Sequence, residues 1–132
     1  MTVDIILIRK DGDAANILLI QRKNEPFKNS WALPGGFVDE HEDLEAAAKR
    51  ELLEETSVTV NSLEQLKAFG KPNRDPRGHM VSVAFIGFAE ENSKAVAADD
   101  ANEAKWFSLN DLPELAFDHA EIINFGRSKV NL

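Results

Sequence analysis

The segment Leu44–Thr56 places carboxylates on the side of a helix that should be packed against the rest of the chain. It is rich in Ala, Leu, Glu and Lys and contains neither Gly nor Pro, which predicts a helix. At 100° per residue, one apolar stripe is formed by Leu44, Ala47, Ala48 and Leu52. Glu51 and Glu55 fall in the middle of that stripe, and Glu54 lies at its edge. Two carboxylates at i and i+4 repel one another, and an unpaired charge on a packed face is costly.

Two interpretations of this acidic helix stay open at this point. Either its last turns project past the core into solvent, or a divalent cation collects the carboxylates. Arg50 can neutralise only one of the three, and Glu42 is a competing partner for it. Because the available ligands are oxygens without His or Cys, the cation would be Mg²⁺ or Mn²⁺ rather than Zn²⁺.

Length and composition restrict the class of protein. A chain of 132 residues, 43% of them hydrophobic, predicts one folded domain. The net charge of -8 argues against a nucleic-acid partner, which needs clustered Lys and Arg. No apolar stretch approaches the roughly 20 residues of a membrane span, and no signal-peptide layout opens the chain. With no cysteine, the sequence fits a cytoplasmic protein, and a homodimer is one candidate assembly.

The order of predicted elements indicates an α+β domain with helices packed on a mixed sheet. The predicted strands are Val3–Arg9, Ile17–Arg22, Val58–Phe69 with a break at Asn61-Ser62, Met80–Ala89, and a short one ending at Trp106-Phe107. Asp11-Gly12 is a turn signal between the first two strands. We expect Ser108 to cap a turn and Asp118 to cap a last helix over His119–Phe125.

The turn Pro34-Gly35-Gly36, called the glycine turn below, and the acidic helix stand at a fixed spacing that resembles the Nudix box. Five residues separate Gly36 from Glu42, and seven separate Glu42 from the run Arg50–Val58 (RELLEETSV). Every position that the pattern fixes is matched except one, where Ser57 replaces a glycine at the end of the helix. The box spans residues 36–58, and similar flanking features extend the resemblance over nearly the whole chain.

This resemblance implies an α/β/α sandwich, with a mixed β-sheet flanked by helices, in a single Nudix hydrolase domain over residues 1–132. It implies Mg²⁺, or Mn²⁺, held by Glu51, Glu54, Glu55 and the backbone carbonyl of Gly35. Arg50 would orient the carboxylates, with Glu42 paired to it, and either Glu51 or Glu54 would act as the base. The implied reaction is attack of water on a phosphorus within a diphosphate that is joined to another moiety.

Nudix hydrolases usually carry one more catalytic carboxylate outside the box. The candidates are Asp99, Asp100 and Glu103, which precede Lys105. We take Asp100 and Glu103 as predicted catalytic residues, although a solvated acidic loop is the simpler interpretation of each residue alone.

The loop Lys71–His79 and the strand that follows it resemble the ADP-ribose pyrophosphatase branch of the family, with Pro72 as the recurring marker. Arg74 and Arg77 would offer forked donors to phosphate or ribose oxygens, and His79 completes the predicted substrate loop. The alternative is a solvated surface loop in which Arg pairs with Asp.

Other residues near the glycine turn are candidates for the substrate site. Arg22 ends the second strand and is predicted to meet a phosphate or ribose. Among the aromatic residues nearby, Phe37 is the predicted contact to an adenine, whereas Phe27 and Trp31 fit either stacking or the core. His119 fits the border of the site, a helix cap or the core equally well.

Three functions follow from the resemblance. The leading prediction is hydrolysis of ADP-ribose to AMP and ribose 5-phosphate. The first alternative is a nucleoside triphosphate pyrophosphohydrolase that removes damaged nucleotides, and it gives the loop Lys71–His79 no special role. The second is a non-catalytic ADP-ribose sensor, which would be expected to carry a winged-helix segment after the Nudix domain.

Overall fold

The computed structural model describes residues 1–97 and 101–132, and it contains one sheet flanked by two helices. The predicted candidates Asp99 and Asp100 lie outside the described residues. The elements are β1 (Thr2–Asp11), β2 (Ala14–Arg22), β3 (Trp31–Ala32), β4 (Gly35–Phe37), α1 (Leu44–Thr56), β5 (Glu64–Phe69), β6 (Ser82–Phe88), β7 (Ala101–Ser108) and α2 (His119–Val130).

The sheet is mixed and is built around β1. Its main strand order is β3-β2-β1-β6-β5, with β4 paired to β1 and β7 paired to β2. The pairing of β1 with β6 is parallel, and the other pairings are antiparallel. Since β4 pairs with the first residues of β1, the glycine turn is fixed to the start of the central strand.

Two apolar cores lie on the opposite faces of the sheet. Side chains of a strand point alternately to the two faces, and β1 supplies both cores. Val3, Ile5 and Leu7 pack with Ala47, Ala48 and Leu52 of α1. Ile6 and Ile8 pack with Ile122 and Ile123 of α2. The predicted α/β/α sandwich with a mixed sheet is therefore confirmed.

Helix α1 has the predicted bounds, and its two ends show why. Asp43 is the N-cap, and its carboxylate accepts hydrogen bonds from the backbone N–H groups of Glu45 and Ala46. At the other end Ser57 takes the left-handed conformation, with φ of 64°, and its N–H donates to Leu53 O at 2.9 Å. This is the position at which the Nudix pattern has glycine, and glycine adopts that conformation without steric cost.

Several predicted boundaries were wrong. The strand predicted over Val58–Phe69 begins only at Glu64, after the predicted break at Asn61-Ser62, where the chain bends at Asn61. The last helix continues past Phe125 to Val130.

Of the two predicted caps, one is present. The Ser108 hydroxyl accepts a hydrogen bond from the N–H of Asn110 at 3.2 Å, as predicted. Asp118 stands at the N-cap position of α2 but makes no side-chain capping bond, because Arg74 binds its carboxylate. Neither described helix is long and apolar enough to cross a bilayer.

Candidate active site

A cleft of about 680 Å³ lies where the glycine turn meets the second half of α1. The start of β1, the end of β2, the loop after β5 and the residues before α2 complete its walls. This volume is in the range of small-molecule sites. The cleft is lined by most of the predicted site residues: Arg22, Gly35, Phe37, Glu51, Glu54, Glu55, Arg74 and Arg77.

The carboxylates of α1 form one wall of the cleft and differ in exposure. Glu55 is buried, and its Oε1 accepts a hydrogen bond from Gly35 N at 2.8 Å. The side chain of Glu51 is 14% exposed and that of Glu54 is 44% exposed. A Cβ at Gly36 would stand 2.5 Å from Glu51 Oε2. Glu51 and Glu55 are therefore packed against the glycine turn, and Glu54 alone reaches towards solvent.

Arg50 holds the outer carboxylates in a network. Its guanidinium donates to both oxygens of Glu42, at 2.7 and 2.8 Å, and to Glu51 Oε1 at 2.9 Å. Longer contacts reach Glu54 at 3.2 and 3.4 Å. The hydrogen bond from Arg50 lowers the pKa of Glu42 to about 2, and Glu42 in turn raises the pKa of Arg50. The predicted pairing of Arg50 with Glu42 is present.

The pKa of Glu51 changes in the opposite direction from that of Glu42. Removal from water raises the pKa of Glu51, the charges of Glu54 and Asp39 raise it further, and Arg50 opposes them. A cation beside Glu51 would offset this cost, since opposite charge favours the ionised form.

The donor set of this wall fits a hard divalent cation by its chemistry, because every candidate ligand is an oxygen. Among residues 1–97 and 101–132, no three His, Asp or Glu side chains are already gathered as a metal-binding cluster. Arg50 instead draws Glu51 and Glu54 towards itself. Both side chains line the cleft all the same, and the second carboxylate oxygen of Glu51, Oε2, faces the glycine turn and not Arg50.

The basic side chains of the cleft are engaged to different degrees. Arg74 makes a buried two-point ion pair with Asp118, at 2.6 and 2.8 Å, and is only 5% exposed. Arg77 binds Asp75 at 2.8 and 3.1 Å. The arginine–aspartate pairing considered for this loop is thus present, and it leaves Arg74 little freedom to bind a ligand.

Arg22 is the better-placed cation. Its Nε donates to Pro26 O at 2.7 Å, and its guanidinium lies over the Phe117 ring at 5.0 Å. It has no carboxylate within 4.0 Å among the residues that the structure describes. Burial lowers the pKa of Arg22, and the nearby charge of Arg77 adds to this effect. The charges of Glu55, Asp75 and Asp4 raise the pKa of Arg22, and an anionic ligand in the cleft would act in the same direction.

Three phenylalanines line or border the cleft. The rings of Phe27 and Phe117 stand 4.7 Å apart, and both residues have left-handed backbones, with φ of 60° and 53°. Phe37 is 52% exposed, and the Arg77 guanidinium lies 5.8 Å from its ring and 5.7 Å from that of Phe117. Trp31 packs edge-on against Phe107 at 4.8 Å in the core beside α2.

Three described residues of the predicted site do not line the cleft: Arg50, which stands behind Glu51 and Glu54, His79 and Glu103. His79 is exposed, and its Nε2 lies 2.7 Å from Gly70 O. Glu103 is an exposed residue of β7, paired in register with Gln21. His79 and Glu103 thus lie outside the cleft in this structure, and their roles in substrate binding and catalysis stay predictions.

The sequence reading missed a buried polar group beneath the cleft. Asp4 is 8% exposed within the apolar run of β1, and its Oδ2 accepts a hydrogen bond from the Ser82 hydroxyl. His119 is buried too, and burial lowers its pKa. A lone aspartate inside the run VDIILI was the signal, since a carboxylate seldom lies in a buried strand without partners.

An acidic helix face and the guanidinium of Arg22, which has no carboxylate within 4.0 Å among residues 1–97 and 101–132, share one cleft and suit an anionic small molecule together with a hard cation. A family model of the NUDIX domain matches residues 1–125. The chain belongs to the Nudix family, as its box predicted.

Two curated relatives are similar over most of the chain. An ADP-ribose pyrophosphatase of Methanocaldococcus jannaschii is 49% identical over 117 residues, covering 89% of this chain and 67% of the relative. The ADPR responsive transcriptional repressor NtrR of Acinetobacter baylyi is 38% identical, covering 99% of this chain and 54% of the repressor. The predicted likeness to the ADP-ribose pyrophosphatase branch is confirmed.

Solved structures give the same fold. The NUDIX domain of Shewanella oneidensis NrtR, crystallised with ADP ribose, superposes with a TM-score of 0.90 at 36% identity. That match covers 98% of this chain and 86% of the other. A MutT/nudix family protein from Enterococcus faecalis gives a TM-score of 0.91 at 39% identity, with 98% of this chain and 61% of that chain covered. The chain thus spans between half and two thirds of several proteins that it matches.

Proposed function

We propose that this chain is a Nudix pyrophosphohydrolase that hydrolyses ADP-ribose to AMP and ribose 5-phosphate with Mg²⁺, for which Mn²⁺ can substitute. The observation that carries the proposal is the arrangement of the cleft, in which the carboxylates of α1 and the guanidinium of Arg22 line the same space. A relative that is 49% identical and is named an ADP-ribose pyrophosphatase supports this choice of substrate. A divalent ion is general in Nudix hydrolases.

In this proposal, Glu51, Glu54, Glu55 and the carbonyl of Gly35 hold the metal ion. When bound, the ion neutralises phosphate charge and lowers the pKa of water. A carboxylate of α1 accepts the proton of the attacking water. The water oxygen bonds to one phosphorus, the bond from that phosphorus to the bridging oxygen breaks, and AMP and ribose 5-phosphate leave.

The basic and aromatic residues bind the rest of the substrate. Arg22 donates to the diphosphate through its forked guanidinium, which has no carboxylate partner within 4.0 Å in the part of the chain that the structure describes. Phe37 and Phe117 offer ring faces to the adenine, with Arg77 between them. Arg74 supports the loop from below, through its pair with Asp118.

A second candidate function is an ADP-ribose sensor without turnover. It is favoured by the 38% identity to an ADPR responsive repressor and by the superposition on an NrtR domain that was crystallised with ADP ribose. Catalysis remains our first choice because Arg50 and all four box glutamates, Glu42, Glu51, Glu54 and Glu55, are present.

One assay separates these functions from nucleotide cleaning. The protein is incubated with Mg²⁺ and a panel of ADP-ribose, other nucleoside diphosphate derivatives and 8-oxo-dGTP, and the products are separated by chromatography. We expect AMP and ribose 5-phosphate from ADP-ribose as the fastest reaction. Tight calorimetric binding of ADP-ribose without product would establish the sensor, and pyrophosphate released from triphosphates would establish nucleotide cleaning.

Other features of the protein follow as proposals. A single Nudix domain over residues 1–132, a cytoplasmic location, a small nucleotide ligand and no nucleic-acid or membrane partner fit the charge of -8 and the absence of cysteine. A homodimer is the assembly we propose to test by light scattering.

A further inference from the structure

A network of buried polar side chains lies beneath the cleft and connects the loop after β5 with the glycine turn. Arg74 is bound to Asp118 at one end, and its Nη2 lies 4.0 Å from Asp4 Oδ2. Asp4 Oδ1 lies 3.5 Å from His119 Nε2. Asp118 and His119 are adjacent at the start of α2, whereas Asp4 belongs to β1, so this network of polar side chains joins separate elements.

His119 is the member of this network that contacts the backbone just before the glycine turn. Its Nδ1 accepts a hydrogen bond from Leu33 N at 3.0 Å, and both partners are buried. An imidazole nitrogen that accepts carries no proton, so the proton of neutral His119 lies on Nε2, which faces Asp4. The imidazole of His119 thus accepts from the backbone N–H of Leu33 with one nitrogen and faces the buried carboxylate of Asp4 with the other.

The turn that His119 binds has little space to move. Ile5 N donates to Pro34 O at 2.9 Å, and Gly35 N donates to Glu55 Oε1 at 2.8 Å. A Cβ at Gly35 would collide with the carbonyl oxygen of Val3 and would stand 2.7 Å from Asp4 Oδ1. The turn is therefore fixed at three successive residues, and the fixation at Leu33 comes from a side chain of α2.

We propose that His119 is a positioning residue, which holds the Leu33–Gly36 turn at the distance from Glu55 that hydrolysis requires. The proposal rests on the proposed hydrolase function. Buried ion pairs stabilise a fold weakly and are often replaced by apolar side chains without loss. Here the buried groups converge on a turn that faces the predicted metal ligands, and a misplacement of about 1 Å at such a site can cost about a hundredfold in rate.

Three substitutions separate the two nitrogens of the ring. In His119→Asn, the amide oxygen stands near the place of Nδ1 and can accept from Leu33 N. In His119→Gln, the amide nitrogen stands near the place of Nε2 and can donate to Asp4. His119→Phe keeps the ring and loses both contacts. Ile123→Val is the matched control, because Ile123 is buried in the same helix and lies in the apolar core beside α2.

The measurements are kcat and KM for ADP-ribose, amide hydrogen exchange at Leu33 and Gly35, and calorimetric binding of Mn²⁺. We expect kcat to fall about 10- to 100-fold in the Gln and Phe variants, with KM changed less than about threefold. In these variants the Leu33 amide should exchange faster and Mn²⁺ should bind more weakly. The Asn variant should keep a kcat at least about tenfold above that of Gln, and Ile123→Val should lower Tm while leaving kcat and the Leu33 amide as in the wild type.

Two results would overturn the proposal. One is an equal kcat in the Asn and Gln variants. This comparison does not need the Phe variant, so the test holds even if His119→Phe does not fold. The other is faster exchange at Leu33 with kcat and Mn²⁺ binding unchanged. If the wild type itself does not hydrolyse ADP-ribose, the proposed function fails separately, and the exchange and Mn²⁺ measurements still decide whether His119 positions the turn.

Discussion

At the scale of single residues, Glu55 unites the predicted metal site and the glycine turn. It is buried and bonded to Gly35 N, so a neutral isostere can keep the hydrogen bond while it removes the charge. We expect Glu55→Gln to fold normally and to lower kcat with Mg²⁺ at least about a hundredfold, the scale for loss of a central electrostatic group. Glu121→Gln, on the exposed side of α2, is the control. Near-normal turnover of the Glu55 variant would contradict the assignment of Glu55 as a ligand.

Arg22 carries the second prediction at this scale. Because it has no carboxylate partner among the described residues, a substrate phosphate is its expected partner, and each charge-assisted contact contributes about 1.5–3 kcal/mol. Arg22→Ala should therefore lower kcat/KM for ADP-ribose about 10- to 150-fold, with the Mg²⁺ dependence unchanged. Arg22→Lys should recover part of the loss, and Lys28→Ala, at an exposed lysine that does not line the cleft, should have little effect. A larger loss of kcat/KM in Arg77→Ala than in Arg22→Ala would instead support the prediction from sequence that the loop Lys71–His79 binds the substrate.

At the scale of elements, the end of α1 shows how one residue accommodates a helix terminus. Ser57 takes a left-handed conformation that costs a side-chain-bearing residue about 1 kcal/mol or more. Its hydroxyl donates to Val96 O at 3.1 Å, which offsets part of that cost. We expect Ser57→Gly to raise the free energy of unfolding by up to about 1 kcal/mol, and Ser57→Val to lower it. Urea denaturation measures both variants, and a Gly variant less stable than wild type would show that the hydroxyl contact dominates.

The elements also show how far sequence reasoning reaches. Local signals were sufficient for α1, whose cap, composition and closing residue all lie within 15 positions of sequence. They were not sufficient for Asp118, which has the right identity and place for a cap but is bound by Arg74, 44 residues away. The carboxylates of α1 were predicted because their spacing is helical. The pair of Arg77 with Asp75, two positions apart, was accessible to sequence reasoning. Asp4 and the pair of Arg74 with Asp118 depend on where loops lie against the sheet, and no local pattern encodes that.

At the scale of the whole molecule, stability should depend on pH through groups whose pKa differs between the folded and unfolded states. The pKa of Glu42 is lowered from 4.5 to about 2 by Arg50. A lowered folded-state pKa means that the ionised form is favoured by folding, so this contribution is complete above pH 4.5 and is lost as the pH falls towards 2. Burial lowers the pKa of His119, which acts in the same direction from about pH 6.5 downwards, since the unfolded chain takes up that proton first.

We therefore expect the free energy of unfolding to decrease on acidification in two ranges of pH. Glu42→Gln should reduce the decrease in the more acidic range, to which Asp11, Glu45 and Asp75 also contribute because their pKa values are lowered. In urea titrations with a chelator present, the wild type should exceed the Glu42 variant by a constant amount from pH 7 to pH 5. That difference should shrink below pH 4.5, because protonated Glu42 and glutamine are both neutral partners for Arg50. The chelator matters, since metal bound to Glu51 and Glu54 would release Arg50 towards Glu42 and enlarge the difference. A difference that stays constant down to pH 3 would show that Glu42 acts through its shape and hydrogen bonds and not through its charge.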